Sequence, residues 1–319
     1  MTIRAVLYDA KGDDREVELA DVPVTVGNDR LLWIDLDGRD PEELERAGAA
    51  LGLERTALRQ LGRVERRPRL LRLPDRIVLT LGAVEPEDSE VARHELHIVV
   101  GTNHVVTVHE GPLTPLEEFR KEIDHEEVVG SLDAASFVAG MVDSVFTAFF
   151  RQLEAIERDI DAIDEVALRT RAEEDFLSRV LVLRRRIARL RRILAPNREA
   201  LLPLERPDVA QTSAELGSAW PGMAQRLERA IDGVENAREL LVGSFDLYLG
   251  RSSQRTNDVM KILTLVSAIA LPGIVLAGVM GMNFKLGFFD EASNFFVVVG
   301  AMVAFAIAII GVARWRNWI

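Results

Sequence analysis

Two uncharged runs near the C-terminus constrain this chain more than any other feature. Ile262 to Met282 reads ILTLVSAIALPGIVLAGVMGM, 21 residues without a charge. At helical rise that is about 31 Å, the thickness of a bilayer's hydrocarbon core. Phe295 to Ala313 reads FFVVVGAMVAFAIAIIGVA, a second uncharged run of 19 residues. Only twelve residues separate the runs. That spacing predicts a transmembrane hairpin rather than two buried helices of a soluble core.

The flanking charges predict the orientation. Arg255 and Lys261 precede the first run, and Arg314 and Arg316 follow the second. The loop between them carries only Lys285, Asp290 and Glu291. Basic flanks stay in the cytosol, so both termini are expected there and the loop outside, as in a multi-pass protein of the plasma or inner membrane. Trp315 and Trp318 suit the inner interface. The N-terminus, MTIRAVLYDAKGDD, lacks a basic region followed by an apolar run and does not read as a secretory signal. Neither span holds an ionisable side chain, which excludes a proton relay built on intramembrane charge. Two helices cannot enclose a pore, so transport requires several copies of the chain.

The remaining 261 positions carry most of the charge, within a formal total of −12. An acidic protein repels nucleic acid and attracts cations, although acidity by itself ordinarily serves solubility. There is no cysteine, so disulfides and thiolate metal sites are excluded. No phosphate-binding glycine loop or catalytic constellation is present, which argues against an enzyme, an ATP-driven pump or an organic cofactor.

Strand signals fall at Ala5–Tyr8, Leu31–Leu36, Arg76–Leu81, Leu96–Val100 and His104–Val108. The last two flank Gly101-Thr102-Asn103, a hairpin signal. Asp40–Leu51 reads as a helix with Asp40 as N-cap before Pro41. An α/β domain is therefore expected over 1–130. A helical stalk is expected over 131–261, with long helices at Leu132–Leu168 and Glu173–Leu194, and the membrane hairpin over 262–319. From Gly222 to Met282 the only proline is Pro272, which predicts one helix of roughly 85–90 Å that needs other helices to be stable. Pro272 is expected to kink it.

Gly281-Met282-Asn283 ends the first span, and Arg255-Thr256-Asn257-Asp258-Val259-Met260-Lys261-Ile262-Leu263-Thr264 precedes it. Together with the two C-terminal spans and the long helix, these segments resemble the CorA family of magnesium channels. The resemblance implies a funnel-shaped homopentamer that passes divalent cations, Mg²⁺ first and Co²⁺ or Ni²⁺ besides, gated by cytosolic metal. It implies a selectivity ring of Gly281, Met282 and Asn283 at the outer mouth. It makes Asn257, Met260 and Leu263 inner pore positions and Asp246 an acidic ring, so that Asp246, Asn257 and Asn283 are the candidate metal-holding residues. Asn257, Met260, Thr264, Ser267, Leu271 and Gly278 follow one helix face, and Asp246 shares it. Such a stripe does not strip water from an ion, so Mg²⁺ is expected to pass hydrated. The sequence departs from the family at Met280, Ile274 and the loop residue Lys285. Leu194-Ala195-Pro196-Asn197-Arg198 resembles the zinc-transporting ZntB branch instead. Zinc movement, with or without proton coupling, and a membrane-anchored scaffold or signalling protein are the competing readings.

Glu154, Glu157, Asp161 and Asp164 share one helix face, while Arg184, Arg185, Arg186, Arg189, Arg191 and Arg192 crowd the next helix. A solvated, oppositely charged helix pair is the plainer expectation, and an acidic surface that gathers cations the sharper one. Glu85, Glu87, Asp88 and Glu90 suggest a regulatory Mg²⁺ site, against the plainer reading of a solvated loop around Pro86. Among the five histidines (94, 97, 104, 109 and 125), His94 and His97 fall on opposite faces of a strand and do not chelate together.

Overall fold

The computed structural model describes all residues except 1, 23–25, 28, 65–66, 75, 86–90, 124–132, 169–175, 206–215, 283–291, 317 and 319. Two compact units divide at Ser244 and Phe245. The first is built on a seven-stranded sheet in the order β2-β1-β3-β7-β6-β5-β4. Its strands are β1 (Thr2–Asp9), β2 (Arg15–Glu16), β3 (Arg30–Asp37), β4 (Arg69–Arg72), β5 (Ile77–Ala83), β6 (His94–Val100) and β7 (His104–His109). β3 pairs in parallel with β7, and the remaining neighbours pair antiparallel. The Gly101-Thr102-Asn103 turn joins β6 to β7 as expected, closed by the Gly101 N–H donating to the His104 carbonyl at 2.9 Å.

Both faces of this sheet are covered, which is why β3 and β5 are apolar nearly throughout. Leu32, Ile34 and Leu36 of β3 join Val106 and Val108 of β7 on one face. They pack there against Leu44 and Ala47 of α1 (Pro41–Ala50) and Ala57 and Leu61 of α2 (Arg55–Leu61). The Asp40 side chain caps α1 by accepting from the Glu42 and Glu43 amides, ahead of Pro41. On the other face Trp33 meets Phe119 of α3 (Thr114–Ile123) and Phe137 of α4 (Ala134–Leu168), ring edge to face. α4 is apolar and long enough to cross a membrane, but 61% of its most apolar stretch is buried in the protein, so it is a core helix.

α5 (Phe176–Leu194) returns along α4 and α6 (Asn197–Leu201) follows Pro196. Here the structure shows a contact the sequence did not advertise. β4 pairs with β5 only as far as Thr80, so that Gly82, which pairs with Glu95 of β6, has no strand partner on the β4 side. The fully buried Asn197 fills that place: its amide accepts from the Gly82 N–H at 2.8 Å and donates to the Gly82 carbonyl at 3.0 Å. A Cβ at position 82 would sit 3.2 Å from the Ile193 carbonyl oxygen, so glycine lets the helix corner approach. Asn197→Ala orphans both backbone groups. At roughly 1–3 kcal/mol for each, the expected loss is about 2–6 kcal/mol, read as a lower thermal midpoint of the full chain in detergent. An unchanged midpoint would contradict the clamp.

α7 (Leu216–Met280) is one helix of 65 residues. It begins six residues before the expected Gly222 and takes Pro221 into its second turn, where a proline forfeits a single backbone bond. Pro272 is likewise accommodated without ending the helix. α8 (Ala292–Trp315) is the second membrane-length helix of the second unit. The arginine-rich α5 does not simply mirror the acidic face of α4. Arg186 reaches Asp159 of α4, whereas Arg191 pairs with Glu235 of α7 at 2.7 Å.

Candidate functional site

The windows that make α7 and α8 long and apolar enough to cross a membrane are buried nowhere in the chain. In water such surfaces would drive aggregation; a bilayer or copies of the chain must cover them. On α7 the partly covered positions beyond Lys261 are Leu265, Ile269, Pro272, Gly273 and Met280. On α8 they include Val298, Met302, Ala306 and Ile309, with Ala313 buried. These two rows face each other: a Cβ at Gly273 would lie 3.0 Å from the Met302 methyl.

At about 100° per residue, the row of Asn257, Met260, Thr264, Ser267, Leu271 and Gly278 lies largely on the side of α7 turned away from α8, with Thr264 at one margin of the row, where it also borders the space between the two helices. All six are exposed, as are Leu263 and Asp246. Met260 is 53% exposed and Leu271 65%, values that mark a helix face with no partner in the chain itself. The hydroxyl of Thr264 donates to the Met260 carbonyl at 2.7 Å and that of Thr256 to the Ser252 carbonyl at 3.0 Å, so neither projects a free donor. Lys261 pairs with Asp258 at 3.0 Å, on the flank of the face. The helix then stops: the Gly281 amide donates to the Ala277 carbonyl at 3.0 Å and the Met282 amide to the Val279 carbonyl at 3.2 Å. Asn283 lies outside the described residues, as do Lys285, Asp290 and Glu291 of the loop.

Among the described residues, no three His, Asp or Glu side chains converge as a metal site. Glu85 accepts from the Thr114 amide at 2.9 Å and so caps α3; Glu87, Asp88 and Glu90 lie outside the described residues, as does His125. His97 is fully buried and His94 is not, in keeping with opposite faces of β6. Burial, and then the charges of Arg39 and Arg69, push His97 down to about 4, so it is neutral at physiological pH.

Sequence reasoning missed a buried ionic network under the sheet. The Asp35 carboxylate accepts from Arg120 and from Thr107, each at 2.5 Å, and its Oδ1 lies 3.3 Å from His109 Nε2. Trp33 donates to the Thr107 hydroxyl at 3.0 Å, and the Arg120 guanidinium stacks 4.7 Å from the Trp33 ring centre. His109 Nδ1 donates to the Gly111 carbonyl at 2.7 Å, while the Gly111 N–H donates to Asp37 at 2.7 Å. Gly111 reaches both only because its φ is +76°.

Burial alone would raise the Asp35 pKa, but the bonds from His109 and Thr107 and the Arg120 charge hold it below the usual carboxylate range. Burial alone would lower His109; Asp35 and the Gly111 carbonyl outweigh that and raise it. The Asp35 contribution to stability is therefore present above about pH 3.9 and is lost as pH falls through its depressed folded value. The His109 contribution is complete below about pH 6.5 and fades as pH rises through its raised folded value. His109→Gln should flatten this neutral-to-alkaline decline in the thermal midpoint. A decline as steep as in the parent chain would assign the slope to another group.

The family model described as CorA-like Mg²⁺ transporter protein matches residues 28–314. The cobalt/magnesium transport protein CorA of Thermotoga maritima is 25% identical over 294 residues, covering 90% of this chain and 83% of that one. The zinc transport protein ZntB of Photorhabdus laumondii is 20% identical over 285 residues, covering 88% and 84%. In fold, the complete structure of the CorA magnesium transporter from Methanocaldococcus jannaschii aligns over 100% of both chains with a TM-score of 0.78, at 22% identity.

Proposed function

We propose that this chain, which belongs to the CorA-like Mg²⁺ transporter family, forms with copies of itself a channel that carries hydrated Mg²⁺ into the cell. Transport of divalent cations across a membrane is the activity of the family, and no enzymatic step is involved. The observation that carries the finer reading is the exposed face of α7, opposite α8, bearing Asn257 and no acidic side chain between Ile262 and Met282. A ring of such faces encloses a conduit of weakly polar and apolar groups. Mg²⁺ gives up its waters reluctantly, so a lining of this kind suits an ion that keeps them. Five copies are the number the family implies. Both termini lie in the cytosol and the loop after Asn283 outside. An inside potential of −100 mV drives a doubly charged ion inward by about 4.6 kcal/mol, twice the single-charge value.

In this reading Asn283 offers amide oxygens at the outer mouth beside Gly281 and Met282, and Asn257 does so at the inner end. Met260 and Leu263 form the narrowest apolar stretch, which closes by dewetting. Thr264, Ser267, Leu271 and Gly278 line the remainder. Asp246, exposed on the same face of α7, forms a ring of carboxylates. Cytosolic Mg²⁺ bridging that ring keeps the helices together; its loss releases repulsion and opens the pore. Asp246→Asn should therefore weaken inhibition of influx by Mg²⁺ on the side of the soluble unit, measured in vesicles of defined orientation. Equal inhibition of both proteins would remove Asp246 from the gate.

Zinc transport is the second reading, favoured by the Leu194–Arg198 segment and by the ZntB relatives. Purified protein in dye-loaded vesicles separates the two. Potential-driven entry of Mg²⁺, indifferent to a pH gradient, supports the first reading. Zn²⁺ entry that follows the pH gradient, with no Mg²⁺ signal, overturns it.

A further inference from the structure

An apolar groove lies between the cytosolic ends of the two spans. Leu265 and Ala268 of α7 and Phe305, Ala308, Ile309, Val312 and Ala313 of α8 form its walls. Thr264 borders it with its hydroxyl already bonded to the Met260 carbonyl, so it presents a methyl group. The groove is open along one side and holds about 370 Å³, with Arg316 and Trp318 among the residues that line it. Trp318 is anchored there by its backbone N–H, which donates to the Ala313 carbonyl at 2.9 Å. No acidic partner faces the Arg316 guanidinium among the described residues.

We propose that this groove binds one acyl chain of an anionic phospholipid of the inner leaflet, with the phosphate against Arg316. Three features select this occupant. The walls are apolar, alkyl apart from the Phe305 ring, and the single charge at the mouth is positive, which matches an acyl chain ending in an anionic headgroup. The mouth lies at the end of the span where basic residues and tryptophan mark the inner interface. The groove is also long enough: Phe305 to Arg316 spans about 16 Å at helical rise, room for most of one extended acyl chain.

The test uses the full chain in vesicles with tryptophan as reporter. Vesicles of phosphatidylcholine receive equal fractions of phosphatidylglycerol or phosphatidylcholine bearing brominated chains, which quench tryptophan on contact. The Trp318 signal is the difference between the parent chain and Trp318→Phe. Brominated phosphatidylglycerol is expected to quench it at least twofold more than brominated phosphatidylcholine. Arg316→Gln should abolish that preference, and Ala308→Leu, which fills the groove, should reduce quenching by both lipids. Equal quenching by the two lipids in the parent chain would overturn the proposal, as would a preference that survives Arg316→Gln. Quenching unaltered by Ala308→Leu would show that the lipid lies outside the groove, with the same consequence. Absence of quenching would mean that a neighbouring copy covers the groove, and this too rejects the lipid.

Discussion

Asn283→Ala is expected to abolish Mg²⁺ uptake by reconstituted vesicles while the assembled oligomer keeps its mass. The expectation follows from what the rest of the span lacks. Between Ser267 and Asn283 no residue carries a side-chain oxygen. α7 ends at Met280, and the Gly281 and Met282 amides are taken by carbonyls of the last turn. A hydrated divalent ion arriving from outside needs acceptors for its water hydrogens before it enters an apolar bore. In the proposed pore the first side chain able to provide them is the amide of position 283, and alanine removes it from every copy at once. Uptake is read with a Mg²⁺ dye at fixed membrane potential and assembly by mass measurement. Undiminished flux would take the selectivity role away from Asn283.

Arg120→Met is the substitution with the largest expected effect on folding. Asp35 is nine-tenths or more buried, and Arg120 is one of the two cationic side chains against it. Removing one partner of a buried ion pair leaves a charge with insufficient compensation, at a cost of about 3–5 kcal/mol. For a unit of this size that lowers the thermal midpoint by roughly 2–4 °C for each kcal/mol. The double variant Asp35→Leu, Arg120→Met discards both charges and should recover a substantial part of the loss, because a hydrophobic pair of similar volume is tolerated. A double variant as unstable as the sum of the two singles would show that the charges do not act as a pair.

The two spans, the Asp40 cap and the β6–β7 turn were legible because each rests on local chemistry: an uncharged run of bilayer length, a carboxylate before proline, a glycine-containing turn between apolar strands. α2, α3 and β4 were not read. α2 is seven residues and β4 four, too short for periodicity to show, and β4 carries arginine at both ends. The Asp35 network left one trace, an aspartate inside the apolar run Leu31–Leu36, a place where a charge needs a buried partner. Its partner lies 85 positions away on a helix whose arginine looks like any surface arginine. Asn197 carried the opposite lesson: the segment around it read as a branch signature, and the structure gives it a strand-edge role. The exposed face of α7 was legible as a stripe, but a ring is made by copies and no single chain displays one.

The clamp at Gly82 bears on how copies of this chain can meet. Sheets add strands wherever an edge presents unused backbone groups, and that is how folded proteins most easily polymerise without limit. Here one outer strand, β4, is four residues with arginine at both ends, and beyond it the run of β5 that β4 does not pair is already answered by a side-chain amide. At the opposite margin β2 is two residues long. Both margins thus offer little edge for strand addition among the described residues, and helix faces are the larger surfaces available for self-association. A helix face can be satisfied by a ring that closes on itself, so a sheet with such short borders favours an assembly that counts its members and stops.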